Sequence, residues 1–299
     1  MIHSSTAVDN FYISADAAKA TPSRAHDVDE ETEFVQRIYG ASLIRSACTL
    51  LQAPLSTVIT AQTLLHRFYS KRSLTEYDVK LVAAASIALA CKLEEKDRKL
   101  RDVLNSTLRA AQRHQRRPRS MMAINTPQWE ELKTDAKNME MVMLREFGFF
   151  AQVMPPHPFA YTLGVNLELD DELRKRAWAL CNDASMTALC VRYKPAIIAC
   201  GCIHLAAKEK GFAMPSQPPW YRLVEGASKK DLDIIAKSIL AFHAVEKVEY
   251  VDLSSRDRAS RRAERDDHDR GRRRSRSRSR EDRRQRQRRD SSRDYGGAR

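Results

Sequence analysis

The sequence predicts an all-α fold made of two tandem five-helix repeats. Twelve residues, Leu81 to Lys92 (LVAAASIALACK), recur 116 positions later as Ile197 to Lys208 (IIACGCIHLAAK). Five of the aligned positions are identical, and the others are small or apolar except for His204. Because a helix that is apolar on every face must be surrounded by other helices, each copy is expected to form the centre of its own bundle.

The first repeat, residues 31–152, carries the signals of five helices. A broad apolar stripe begins at Glu31 and ends before Pro54, and a capping-box pair, Ser73 and Glu76, opens the central helix. The predicted helices cover 31–51, 55–69, 73–92, 100–113 and 126–147.

A basic stretch, RHQRRPRS at 113–120, separates the fourth and fifth predicted helices and is expected to be an exposed loop. Thr126 and Pro127 form an N-cap and first-turn pair, and Gly148 follows the fifth helix. These residues complete the first repeat.

The second repeat, residues 153–248, begins after the segment MPPHP, whose prolines forbid a continuing helix. Pro195 opens the second central helix, and the capping pair Ser228 and Asp231 precedes the last one. The remaining predictions are a helix over 170–189, a loop over 215–220 and a helix over 232–245. This copy is shorter after its central helix, so the basic loop belongs to the first repeat alone.

The two ends of the chain are predicted to be disordered, over 1–30 and over 249–299. Residues 254–299 contain 19 Arg, no Lys and 9 acidic residues, so most of the net charge of +13 lies there. With so few apolar side chains, this tail cannot bury enough surface to offset the entropy of ordering it.

The start of the chain shows no secretion signal, and the longest apolar run, 81–91, is shorter than the roughly 20 residues that cross a bilayer. We therefore expect a soluble intracellular protein without a membrane partner.

Residues that perform chemistry are missing from the sequence. The nine glycines form no GxG, which excludes a kinase glycine loop, a P-loop and a Rossmann fingerprint, and no hydrolase signature is present. The six cysteines form no CxxC pair, and Cys200 and Cys202 point in different directions on one helix, so core thiols are expected rather than a metal site. His204 is expected to be a hydrogen-bonded core side chain. We predict no catalytic residue, no metal and no cofactor.

The pattern resembles the cyclin box. Lys92 to Glu95, KLEE, is similar to the signature at the end of the buried helix of that fold, and NMEMVMLREFGF at 138–149 is similar to a later helix. Within the cyclins, the resemblance is to the transcriptional members and to the L type, through RKLRDVLN at 98–105, the run 191–207, the PxxPPW loop and the Arg/Ser tail. It covers about 31–245 plus the tail.

The resemblance implies a regulatory subunit that binds and activates a cyclin-dependent kinase acting in transcription by RNA polymerase II and in pre-mRNA splicing. In the family, a Lys at the end of the central helix and a Glu on the fifth helix grip the kinase beside its C helix. The residues implied here are Lys92 and Glu140, with Leu93, Met141 and Leu144 as apolar contacts. The second repeat keeps Lys208 but has Ile234 or Ile235 near the acidic position, so the first repeat alone is expected to bind the kinase.

Two features depart from the family. Arg37 lies where many cyclins carry a buried Arg, but the Asp that usually pairs with it is replaced by His66. That buried pair is expected to be lost. Gln36 to Gly40, QRIYG, also departs from the substrate-docking motif of cell-cycle cyclins, so docking is not expected.

The tail suggests a second role. Arginines bracket Ser275, Ser277 and Ser279, and phosphorylation of all three would add about −4.5 to −6 charge. The resemblance implies recruitment to splicing factors or RNA and a place in the nucleus, in nuclear speckles, whereas the simpler interpretation is a solubilising or import tail.

Two alternative functions remain for the whole protein. One is a cyclin-fold general transcription factor such as factor IIB, although no cysteine precedes Cys48 where a zinc ribbon would lie. The other is an Arg/Ser splicing adaptor without a kinase. The kinase, its substrate and any contact made by the loop 113–120 are left open.

Overall fold

A computed structural model describes residues 11–14, 16–118, 123, 126–215 and 217–253. Through Asp252 they belong to one compact unit that contains ten α-helices, and no strand occurs in these ranges. The predicted all-α class is confirmed. None of the helices in these ranges is long and apolar enough to traverse a bilayer.

A short helix precedes the first repeat, which itself has five helices as predicted. In chain order they are α1 (Pro22–Ala25), α2 (Glu30–Leu50), α3 (Leu55–Tyr69), α4 (Val79–Leu93), α5 (Leu100–His114) and α6 (Pro127–Glu146). Thr126 caps α6 through a hydrogen bond from the Trp129 amide to its hydroxyl, as the sequence predicts. The cap of α4 is Asp78 and not Ser73, because the segment 74–77 forms a turn before the helix starts.

The second repeat contains α7 (His157–Asn166), α8 (Asp171–Ala184), α9 (Pro195–Lys210) and α10 (Lys229–His243). It has four α-helices instead of the predicted five, because a 3₁₀ turn at Trp220–Leu223 lies where the first repeat has α5. A second 3₁₀ turn at Ala188–Val191 follows α8, so the helix predicted over 170–189 ends early. Helix α7 was not predicted, since the prolines around His157 indicated a break. Pro158 stands in the first turn, where its missing N–H costs no hydrogen bond.

The two recurring segments are the central helices, as predicted. Helix α4 packs against α2, α3, α5 and α6, and α9 packs against α7, α8 and α10. The small residues allow close contact: a Cβ atom built on Gly201 of α9 would lie 2.4 Å from Cγ2 of Ile235 on α10. This contact explains why the second copy has a glycine there.

The predicted disorder over 1–30 is wrong for the residues described in that range. Phe11 is buried, with its ring 5.9 Å from that of Phe147 and 6.4 Å from that of Phe150. Helix α1 follows, capped by Thr21, and the Ser23 hydroxyl accepts a hydrogen bond from the Leu74 amide. The segment is polar in composition, but its few apolar side chains are spaced to reach the first repeat. Residues 1–10 and 15 lie outside the described ranges.

Residues 246–252, called the strap here, also correct the predicted boundary of the tail at 249. The Gln36 side chain donates to the Glu249 carbonyl at 2.7 Å and accepts from the Val251 amide at 3.1 Å. The Tyr250 hydroxyl donates to Asp78, and its ring lies under the Lys80 ammonium at 3.3 Å. The chain therefore returns to the first repeat after α10 ends. Residues 254–299 lie outside the described part of the chain.

Candidate functional site

The two charged residues implied by the sequence lie together at one edge of the first repeat. Lys92 is in the last turn of α4 and Glu140 is in α6, and the ammonium is 2.5 Å from the carboxylate Oε1. The Lys92 side chain is 58% exposed and that of Glu140 is 14% exposed. The pair is therefore formed in the isolated chain, with its ammonium open to solvent.

Apolar side chains flank this pair. Leu93 and Met141 are exposed, and Leu144 is half-buried one turn further along α6. An ammonium has three N–H donors and a carboxylate has about four lone-pair sites, so one mutual hydrogen bond leaves both groups able to bind another polypeptide. A solvent-exposed ion pair adds only about 0–1 kcal/mol to stability, so replacing this pair should cost the fold little.

The neighbouring helices hold α4 and α6 in place. The Glu94 carboxylate accepts a hydrogen bond from the Thr60 hydroxyl of α3 at 2.6 Å. At the end of α6, Glu146 pairs with Arg72 at 2.5 Å, and its carbonyl accepts from Lys71 at 2.7 Å. Glu94 belongs to the KLEE motif, so its place in the motif was a signal that the sequence analysis did not use.

The second repeat has an equivalent pair, which corrects the expectation that its acidic residue is missing. The Lys208 ammonium lies 2.9 Å from the Asp233 carboxylate of α10, and the His204 ring nitrogen lies 3.1 Å from the same oxygen. The hydrogen bonds from Lys208 and then His204 lower the pKa of Asp233. The prediction failed because the carboxylate stands one residue before the positions that were considered. His204 is hydrogen-bonded, as predicted.

Arg37 keeps a buried carboxylate partner, although its usual Asp is missing. Glu33 lies one turn earlier on α2 and accepts from Arg37 Nε at 2.9 Å and from Nη2 at 2.7 Å. The Thr21 hydroxyl donates to the other carboxylate oxygen at 2.6 Å, and Arg24 lies 3.3 Å from it. The usual pair of Arg37 with an Asp of α3 is absent, as expected, but Glu33 of the same helix supplies a counterion that the sequence analysis did not anticipate.

His66, at the position of the missing Asp, is completely buried. Burial, followed by the charge of Arg37, lowers the pKa of its imidazole to about 3. The ring is therefore neutral at physiological pH, and it does not compete with Arg37 for Glu33.

In the described ranges, no cluster of three or more His, Cys, Asp or Glu residues is arranged to hold a metal. The six cysteines are free thiols. Burial raises the pKa of Cys48 and of Cys200 to about 12, and it raises that of Cys202. These thiols lack the lowered pKa of reactive cysteines.

Of the other residues singled out in the sequence, the structure describes some and not others. The basic stretch 113–120 is described to residue 118, and it begins as the last turn of α5 before the chain leaves the helix. Ser275, Ser277 and Ser279 lie outside the described residues, as does the rest of the tail.

Comparison with known proteins gives two family matches. The model for "Cyclin, N-terminal domain" matches residues 9–150, and the model for "Cyclin-T2-like, C-terminal domain" matches residues 166–241. Together they cover both repeats.

Curated relatives include Cyclin-L1-1 of Arabidopsis thaliana, 38% identical over 83% of this chain and 59% of the relative. Human Cyclin-L2 is 32% identical over 82% of this chain and 47% of the relative. The chain thus spans about half to three fifths of the length of these relatives.

Solved structures show the same fold. A chain of the yeast RNA polymerase II CTD kinase CTDK-1 complex matches with a TM-score of 0.65 at 21% identity, over 79% of this chain and 73% of that one. A chain of the yeast TFIIK complex matches with a TM-score of 0.56 at 16% identity, over 81% of this chain and 99% of that one.

Proposed function

Because this chain belongs to the cyclin family, we propose that it is the regulatory subunit of a cyclin-dependent kinase that acts in RNA polymerase II transcription and in pre-mRNA splicing. The protein would carry no catalytic group of its own. The L-type names of its relatives, and the transcription-kinase complexes among its structural neighbours, support the choice of a transcriptional kinase and a nuclear location.

The proposal depends mainly on the pair formed by Lys92 and Glu140. A polypeptide that lies across the ends of α4 and α6 would meet an open ammonium, a carboxylate with free lone pairs and the apolar side chains of Leu93 and Met141. Such a surface binds backbone carbonyls and amides through the charged pair, while the apolar contacts add buried area.

The proposed action is to hold the kinase C helix inward. Phosphoryl transfer requires the kinase's own lysine and its C-helix glutamate to be paired at the nucleotide phosphates. A partner that binds beside this helix and favours the inward position switches the kinase on by shifting that equilibrium.

The test is co-purification of the kinase with tagged full-length protein. We expect Lys92→Ala with Glu140→Ala to lose the kinase and its activity, because the double variant removes both charged groups that would hydrogen-bond the kinase backbone. The matched control is Lys208→Ala with Asp233→Ala, which removes the equivalent pair of the second repeat and should retain the kinase. Full retention and full activity with the first variant would overturn the proposal, and loss with the control would move the contact to the second repeat.

We propose that the Arg/Ser tail directs the protein to splicing factors or RNA in nuclear speckles. Its excess of arginine would bind RNA phosphates, and phosphorylation of Ser275, Ser277 and Ser279 would remove about half of that excess. Deletion of 254–299 should disperse the protein from splicing-factor foci, whereas alanine at the three serines should leave the charge and alter only the phosphorylation response. An unchanged distribution after deletion would contradict this role.

The same purification distinguishes the alternatives. A general transcription factor would recover DNA-bound factors without a kinase, and a splicing adaptor would recover splicing factors that stay bound when Lys92 and Glu140 are replaced. Either result would replace the kinase proposal.

A further inference from the structure

A cavity of about 530 Å³ lies between the two repeats, and we call it the interrepeat cavity. Helix α3 of the first repeat forms one side. The linker 150–156, Phe159 of α7 and the segment from the end of α8 to the start of α9 form the others. The volume falls in the range of about 300–1,000 Å³ that is typical of ligand sites. The apolar lining residues include Ile59, Phe150, Met154, Phe159 and Ile198.

The cavity contains a buried cation. The Arg67 residue is 3% exposed, its Nη1 donates to the Gln152 carbonyl at 2.7 Å, and its guanidinium lies 4.2 Å from the centre of the Phe11 ring. Its Nε atom is buried and has no hydrogen-bond partner. The guanidinium is thus held in position with part of its donor capacity unused.

No aspartate or glutamate lines the cavity, and no described carboxylate forms an ion pair with Arg67. The nearby Cys190 thiol cannot serve as an anion, because burial raises its pKa to about 11. Burial also lowers the pKa of Arg67 itself, which shows that its surroundings disfavour the charge.

A buried guanidinium without a counterion is unfavourable, and natural proteins pair or coordinate such charges. The lining therefore has a positive charge, that of Arg67, which an incoming anion would complement, and its surroundings are mostly apolar. The side chains of Thr63 and Tyr193 also line the space.

We propose that the interrepeat cavity binds a segment of a partner protein in which an Asp or Glu is flanked by apolar side chains. The carboxylate pairs with Arg67, and the apolar neighbours fill the space between Phe150 and Phe159. The site lies on α3 and the second repeat, so it goes beyond the surface proposed for the kinase at the ends of α4 and α6. A polypeptide bound there bridges both repeats.

The experiment selects peptides from a random 12-residue display library on the full-length protein. Selected peptides should share an acidic residue among apolar ones, and their affinity should fall at least about tenfold when that residue becomes Asn or Gln. Arg67→Gln should cause the same loss, and Ala196→Phe, which fills the cavity without changing the guanidinium, should also abolish binding. Lys71→Gln is the matched control: it removes an exposed cation that also lies over the Phe11 ring, at 5.4 Å, and should leave the affinity unchanged.

A second readout uses the unbound protein. If Arg67 has no counterion, Arg67→Gln should leave the melting temperature unchanged or raise it. Asp9 lies outside the described residues and is a carboxylate close in sequence to Phe11. A fall in melting temperature that is reproduced by Asp9→Asn would show that the chain supplies its own carboxylate and would overturn the proposal. Selected peptides without an acidic residue, or peptides that bind Arg67→Gln as tightly as the wild type, would overturn it as well.

Discussion

Replacing Glu33 by Gln should destabilise the protein strongly, because Glu33 is the counterion of a buried arginine. Glu33 and Arg37 are 3% and 6% exposed, and the carboxylate takes hydrogen bonds from both Arg37 and Thr21. A Gln side chain has the same size as Glu but no charge. Its amide nitrogen would replace one carboxylate oxygen and cannot accept the hydrogen bond that Arg37 or Thr21 donates there.

The expected loss follows from the burial of the pair. Breaking a buried ion pair by removing one partner costs about 3–5 kcal/mol. A fold of about 240 ordered residues loses about 2 °C of melting temperature per kcal/mol, so Glu33→Gln should melt about 6–10 °C below the wild type.

The assay is thermal unfolding followed by circular dichroism at neutral pH. Glu31→Gln is the matched control, because Glu31 is an exposed residue of the same helix turn, and it should shift the midpoint by less than about 1 °C. The double variant Glu33→Leu with Arg37→Met removes both charges and should lose less than half as much stability as Glu33→Gln. If Glu33→Gln has the same melting temperature as the Glu31→Gln control, the buried Arg37 does not depend on this carboxylate and the argument is refuted.

Three further predictions concern other buried contacts. The pKa of His66 is about 3 in the folded chain and near 6.5 in the unfolded chain. As the pH falls below 6.5, His66 of the unfolded chain binds a proton while that of the folded chain does not, so the free energy of unfolding falls. Between pH 7 and pH 5, His66→Gln should therefore lose about 2 kcal/mol less of this free energy than the wild type in urea unfolding, and equal losses would contradict this. Gly201→Ala should lower the melting temperature, because overpacking against Ile235 costs about 1–3 kcal/mol and outweighs a helix-propensity gain of about 1 kcal/mol; a higher midpoint would show that α10 moves away easily. Gln36→Ala should accelerate hydrogen exchange at the Val251 amide, which donates to Gln36, and unchanged protection would mean that the strap is held by other contacts.

The parts of the fold that the sequence predicts are those with local signals. The recurring apolar helices identify α4 and α9, Thr126 with Pro127 places the start of α6, and Pro195 places the start of α9. Each of these features depends on residues within one or two helical turns, so the chain pattern is enough to find it.

The features that the sequence missed depend on distant contacts or on ambiguous residues. Pro158 is compatible with both a break and a first helical turn, and only packing against α8 and α9 decides for α7. Phe11 and the strap are ordered by the first repeat, which no local pattern reveals.

The candidate site shows the same division. The resemblance identified Lys92 and Glu140, and the structure places them in contact. Asp233 was overlooked because helix packing, and not alignment by residue number, sets which residue of α10 faces Lys208. Glu33 was overlooked because the family's partner of Arg37 lies on α3, whereas Glu33 precedes Arg37 by one turn on α2.

The strap has a consequence for how the duplicated fold comes apart. The linker 150–156 joins the second repeat to the first, and the strap connects them again where residues 249–251 contact Gln36. Neither repeat can rotate about the linker alone while the contacts between the strap and Gln36 are intact. The two repeats should therefore melt in one cooperative transition rather than in sequence.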